Sequence, residues 1–143
     1  MSEEMQPQKE KLPILHDGSG RPFFEYLLFP YYAEAFEILV ERQAKYGPKN
    51  ILDAGLYGVV EQLRNKVERA SAQLRGTVVD GRVVLDPMDE ETKKVLRDSL
   101  LDLANYSLIA LALHEGQWVE DMVLDPTKPA RNYGLDVSWI WEG

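Results

Sequence analysis

Between Asp98 and Leu113 the apolar positions recur so densely that, at about 100° per residue, Leu, Ile, Ala and Tyr cover nearly the whole circumference of a helix. A helix of that kind belongs in the middle of a bundle. Upstream, Tyr32, Phe36, Leu39 and Val40 make one apolar face of a helix from about Pro30 to Tyr46, which Gly47 and Pro48 end. A second helix is predicted from Asp53, a suitable N-cap, to about Leu74. Gly55 and Gly58 in its first turns weaken helix propensity and allow close packing or a bend. The run Thr77-Val-Val-Asp-Gly-Arg-Val-Val-Leu85 sets an Asp-Gly pair between β-branched stretches, which predicts a hairpin with a type I′ turn. Pro87-Met-Asp-Glu-Glu91 opens the third helix, with Asp89 as its cap, and the helix ends near His114 with Gly116 beyond. Val119 to Leu124 fits a short helical or extended piece, and Pro126 and Pro129 break the chain beyond it. Val137, Trp139 and Trp141 alternate as one face of a short strand would, and suit packing on the body or on a partner subunit better than ligand binding.

These elements predict a mostly α fold, an antiparallel helical bundle with a short β-hairpin insert and an irregular C-terminal tail. Residues 1–22 read as a flexible or draped arm, 23–117 as the helical domain with its hairpin near 77–85, and 118–143 as a C-terminal extension. At 143 residues the chain is large enough for a real core.

Charge and composition narrow the function. Sixteen basic against 24 acidic residues give a formal charge of −8, so a nucleic-acid polymer is a poor partner. Free nucleotides are different, because bound cations neutralise both phosphates and an acidic site. There are no cysteines, which excludes disulfides, thiolate zinc sites and cysteine nucleophiles. No apolar run approaches the roughly 20 residues of a membrane span. The polar start MSEEMQPQKEK is unlike a signal peptide, and the expectation is a soluble, cytoplasmic protein. His16 and His114 are not at metal-ligand spacing, and no P-loop, dinucleotide or nucleophile-elbow motif occurs.

The polar residues on the apolar helix carry the chemical signal. Asp98, Asp102 and Asn105 stand at i, i+4 and i+7, so they share one face. Asp102 and Asn105 are expected to point inward, where an unpaired carboxylate costs several kcal/mol. A divalent cation would compensate them. A buried arginine for Asp102 and a backbone carbonyl for Asn105 would serve as well, and Asp98 could simply be solvated. Glu34, Glu37 and Glu41 form a second acidic line on the first helix, continued by Lys45; alone, such a line is more often a solvated face. Two antiparallel helices that each offer carboxylates a turn apart can build an oxygen cage for Mg²⁺. On the second helix Arg64, Lys66 and Arg69 supply positive charge suited to phosphate, while Glu61, Asn65 and Glu68 make a metal-facing or salt-bridging line. Surface ion pairs account for these residues equally. The turn Lys45-Tyr-Gly-Pro-Lys-Asn50 offers Tyr46, Lys49 and Asn50 for base or ribose contacts.

Tyr46-Gly-Pro-Lys-Asn50, Gly58-Val59 leading to Arg64-Asn-Lys-Val-Glu-Arg69, and Asp98-Ser-Leu-Leu-Asp-Leu-Ala-Asn-Tyr106 together resemble the phage and bacterial nucleotide-modification-associated proteins. These stand with the MazG-like, all-alpha nucleoside triphosphate pyrophosphohydrolases. The similarity covers roughly residues 30–115, and the Asp98–Tyr106 piece is its most specific part. The resemblance implies Mg²⁺ (or Mn²⁺) held by a Glu-x-x-Glu on one helix, matched by Glu34 and Glu37, and a Glu-x-x-Asp on a later one, matched by Asp102 and Asn105. Glu41 and Asp98 would be further ligands or would orient them. It also implies a helical homodimer or homotetramer with the site near a subunit interface. Asn65 and Asn105 stand where relatives carry carboxylates, which lowers the acidic charge.

The resulting expectation is a Mg²⁺-dependent nucleoside triphosphate pyrophosphohydrolase releasing nucleoside monophosphate and pyrophosphate. Glu37, Glu41, Asp102 and Lys66 would act in catalysis. Glu34, Glu37, Glu41, Asp98, Asp102 and Asn105 would hold or orient metal and water. Lys45, Lys49, Asn50, Arg64, Arg69 and Tyr106 would contact the nucleotide. A non-catalytic helical oligomer binding nucleotide or protein is the alternative, and a bundle in which the Asp98–Asp102–Asn105 stripe meets Arg64 or Arg69 in a buried network is a third.

Overall fold

The computed structural model describes residues 17–124 and is mostly α, with one two-stranded antiparallel hairpin. The elements are α1 (Phe24–Tyr46), α2 (Lys49–Ala72), β1 (Gly76–Val79), β2 (Arg82–Leu85) and α3 (Glu90–His114). His16 and the expected strand at Val137, Trp139 and Trp141 lie outside the described residues, as do Pro126 and Pro129. The chain divides into two compact units, Met1–Glu41 with Asp125–Gly143, and Arg42–Leu124; α1 crosses the division.

In the first unit, Asp17 organises a turn. Its Oδ1 accepts the backbone N–H groups of Ser19 and Arg21, and Arg21 returns an ion pair at 2.8 Å. These bonds hold the Asp17 carboxyl below its ordinary range, the Arg21 backbone N–H contributing most. Helix α1 begins at Phe24, earlier than expected, and carries Pro30 inside it. The exposed proline ring deletes one i→i−4 bond, a loss that the flanking helical turns carry. Ala35 and Val40 are its buried residues.

In the second unit, α2 and α3 pack against each other. Helix α2 starts at Lys49 directly after Gly47 and Pro48, not at Asp53. Asp53 instead lies exposed and pairs with Lys49 at 3.2 Å. The reason is Gly55, whose φ of 71° and ψ of 178° split α2 into a short first segment and a long second one. Val59 and Ala70, on the long segment, are buried. Trp118, just past α3, donates its indole N–H to the Pro48 carbonyl at 3.1 Å, tying the two ends of this unit together. From Gln117 to Leu124 the backbone is irregular, with a turn at Glu120 and Asp121 and no helix or strand.

The hairpin obeys its sequence signal. Asp80 and Gly81 both adopt positive φ, 52° and 78°, as a type I′ turn requires, and Val78 pairs with Val83. All eight strand residues are exposed.

Helix α3 has the expected ends. Asp89 Oδ1 accepts the Thr92 N–H at 2.7 Å, and Glu90 and Glu91 place negative charge in the first turn. That N–H also holds the Asp89 carboxyl below its ordinary range. Asp89→Ala is expected to lower the melting temperature by a few degrees without changing the helix boundaries, measured by circular dichroism. The expectation that α3 is covered all round is not met among the described residues. Its inner face buries Ser99, Leu101, Asp102, Asn105, Ile109 and Ala110. Its outer face leaves Leu100, Leu108 and Leu111 half exposed, and between Asp98 and His114 no exposed position bears a charge. One helical neighbour covers only part of a helix circumference, so an all-round apolar pattern outruns what this pair can bury.

Candidate functional site

Three polar side chains are buried on the inner face of α3. Ser99 is satisfied within its own helix, its Oγ donating to the Val95 carbonyl at 2.8 Å. Asn105 is buried and engaged. Asp102 cannot be served by its own helix, because a carboxylate needs donors and the helical N–H groups are already bonded. Its donors come from two other helices. Arg42, near the end of α1, gives one Nη N–H to Oδ1 at 2.8 Å. Lys66, in the long segment of α2, places Nζ 3.0 Å from Oδ2. Among the described residues no buried side-chain nitrogen or oxygen lacks a partner.

The three groups differ in exposure, and the difference matters chemically. The side chain of Asp102 is 8% exposed and that of Lys66 18%, whereas Arg42 is 49% exposed. Burial alone pushes the Asp102 carboxyl up and is the largest single influence on it. The bonds from Lys66 and Arg42, with their charges, together outweigh burial and hold it below its ordinary 3.8. Two cations on one carboxylate leave the cluster with one net positive charge, in a chain whose total is −8.

Within the second unit, most of the other expected site residues make no contact with this cluster. Asp98, one turn before Asp102, is half-buried and pairs with Lys94 at 3.2 Å. Tyr106 is half-buried. Arg64 pairs with Glu61 at 3.5 Å on the exposed side of α2, and Asn65, Glu68 and Arg69 are exposed as well. Lys66 and Arg69, one turn apart, therefore do not converge: only Lys66 reaches α3. Lys45 stands 5.3 Å over the ring of its neighbour Tyr46, and both are exposed, as are Lys49 and Asn50. Glu34, Glu37 and Glu41 belong to the first unit; Glu34 is half-buried and engaged, Glu37 half-buried, Glu41 exposed. Among the described residues no three His, Asp or Glu side chains form a group able to hold a metal ion.

Arg42 is the member of the cluster that the sequence pattern does not single out. Arg64 and Arg69, the arginines expected to meet Asp102, face outward in the structure. Arg42 stands seven positions after the buried Ala35, on the same face of α1, and that spacing is the one available signal.

No family model, curated protein or solved structure matches this chain. Among the described residues no helix is long and apolar enough to cross a membrane.

Proposed function

We propose that the chain is a nucleoside triphosphate pyrophosphohydrolase acting on the Mg²⁺ complex of an NTP or dNTP. The observation that carries the proposal is the buried Asp102 with Lys66 and Arg42 on its two oxygens and Asn105 one turn away. Natural helices rarely bury a carboxylate, a lysine and an amide together, and sites of phosphate chemistry are where such groups gather. Supporting it further is the resemblance of Asp98–Tyr106 and of Arg64–Arg69 to the MazG-like enzymes, since these two stretches supply Asp102 and Lys66.

In the proposed reaction, water attacks the α-phosphorus and the bond to the α–β bridging oxygen breaks. Pyrophosphate leaves with the electron pair, the attacking water gives up a proton to solvent, and the nucleoside monophosphate remains. Arg42 bears on the phosphate oxygens, where positive charge is worth most as negative charge redistributes, and Lys66 stands behind it on the Asp102 carboxylate. Mg²⁺ would accompany the triphosphate and neutralise part of its charge. The uncharged outer face of α3 supports the further proposal of a homodimer or homotetramer, since a face without charge meets its own copy without like-charge repulsion.

A second reading has its own observation. Both oxygens of Asp102 already have a cation, so the cluster equally serves as an ion-pair lock of a non-catalytic helical oligomer. Hydrolysis of a panel of canonical and modified NTPs and dNTPs with Mg²⁺ or Mn²⁺, resolving pyrophosphate from orthophosphate, separates the two. Pyrophosphate with the monophosphate is the expected product pair. A folded protein that turns over nothing in the panel leaves only the lock.

A further inference from the structure

The two cations on Asp102 are not equivalent. Lys66 is largely buried and meets Oδ2 at 3.0 Å, so withdrawing it would strand an ammonium away from water. Arg42 is half exposed and uses a single N–H on Oδ1, at 2.8 Å. Arg42 has no bond to the second oxygen, where Lys66 stands, so its contact is not the two-pronged pairing that guanidinium groups favour with carboxylates. Among the described residues one of its five N–H donors is bonded, and the side chain as a whole is half exposed. A half-exposed, one-pronged ion pair is weak, on the order of a surface pair. A phosphate oxygen pair offers the same guanidinium a two-pronged bond and a larger negative charge.

We propose that Arg42 is the exchangeable arm of this cluster: it leaves Asp102 for a phosphate group of the incoming nucleotide, while Lys66 stays on the carboxylate. The proposal rests on the nucleotide reading and assigns substrate capture to a residue of α1 outside the motifs that suggest it. Asp102 then has two tasks. It holds Arg42 at the cluster before substrate arrives, and it keeps Lys66 fixed afterwards. The one net positive charge of the cluster gives an anion a reason to approach an otherwise acidic chain.

The test uses the full chain and inorganic tripolyphosphate as the probe, with binding measured by calorimetry and fold by thermal melting. Arg42→Gln is expected to weaken tripolyphosphate binding on the order of tenfold or more, as loss of a hydrogen bond to a charged group does. Its melting temperature should stay near that of the parent, because Lys66 still holds Asp102. Arg42→Lys, which keeps the charge but lacks the fork, should also lose affinity while melting as the parent does. Equal affinity in the parent and both variants overturns the proposal and leaves the nucleotide reading standing. A parent that binds neither tripolyphosphate nor a Mg²⁺–nucleotide overturns both. Failure of Arg42→Gln to fold, with Arg42→Lys folded and binding like the parent, assigns Arg42 to structure and overturns the proposal as well.

Discussion

Asp102→Ala is expected to destabilise the protein by about 3 kcal/mol, because it leaves the largely buried Lys66 ammonium without its counter-charge. Arg42, half exposed, turns to water and contributes little to the loss. Pairing Asp102→Leu with Lys66→Met removes both buried charges and fills their space with apolar atoms, and should recover most of the stability. Urea denaturation of the parent, the two single variants and the double variant measures this directly. A loss below about 1 kcal/mol in Asp102→Ala would mean that Lys66 is better hydrated than its burial indicates. The same pair sets a pH dependence. Lys66 and Arg42 hold the folded-state carboxyl below its ordinary 3.8, so in that window the unfolded chain binds more protons than the folded one. Stability from this group is therefore complete above the ordinary value and is lost as pH falls through the lower, folded one. The stability gap between the parent and Asp102→Asn should accordingly shrink on acidification below about pH 4. Asp17 and Asp89, also held low, titrate in the same acid range but are common to both proteins, so they cancel in that comparison.

Stability and turnover answer separate questions about Asp102. A protein that hydrolyses nothing would still show the stability loss, because that loss comes from burial and charge alone. A protein that hydrolyses nucleotides should lose turnover in Arg42→Gln while melting like the parent. The two measurements together place the cluster among functional groups or among structural ones without appeal to any relative.

The features legible in the sequence are those fixed by neighbours a few positions apart. Asp80-Gly81 determines its hairpin because the turn needs two residues of positive φ, and Asp89 determines the start of α3 because its carboxylate meets the Thr92 N–H three residues on. Asp53 satisfies the same capping rule, yet the backbone break falls at Gly55 and the helix begins directly after Pro48. Pro30 suits a beginning because prolines favour first turns; the apolar run before it is helical regardless. For the cluster, Asp102 is legible because an acid on an apolar helix must be compensated. Its partners are not. Arg42 is 60 positions away, and Arg64 and Arg69 are equally eligible by charge and closer along the chain. Lys66 stands out for its charge and spacing, but only the packing of α2 on α3 turns it, rather than Arg69, towards the carboxylate.

Gly55 carries the second large effect. Its φ of 71° and ψ of 178° lie in a region that is nearly glycine's alone, so Gly55→Ala is expected to cost about 2 kcal/mol. A Cβ added there would meet nothing within 4 Å beyond its own stretch of backbone, so the cost is one of backbone conformation, not of crowding by the surrounding fold. That distinction gives the test its edge. Asparagine relieves strain at ordinary left-handed positions, where ψ is near +47°. It should not do so at ψ 178°, and Gly55→Asn is expected to lose about as much as Gly55→Ala. Recovery in the asparagine variant would mean that the residue sits in the left-handed helical well. The long segment of α2 is anchored on its own by Val59 and Ala70 and by the bond from Lys66 to Asp102. Phosphate affinity should therefore survive in Gly55→Ala at temperatures where the protein remains folded. A parallel loss of tripolyphosphate binding would instead make the break at Gly55 part of how Lys66 is aimed.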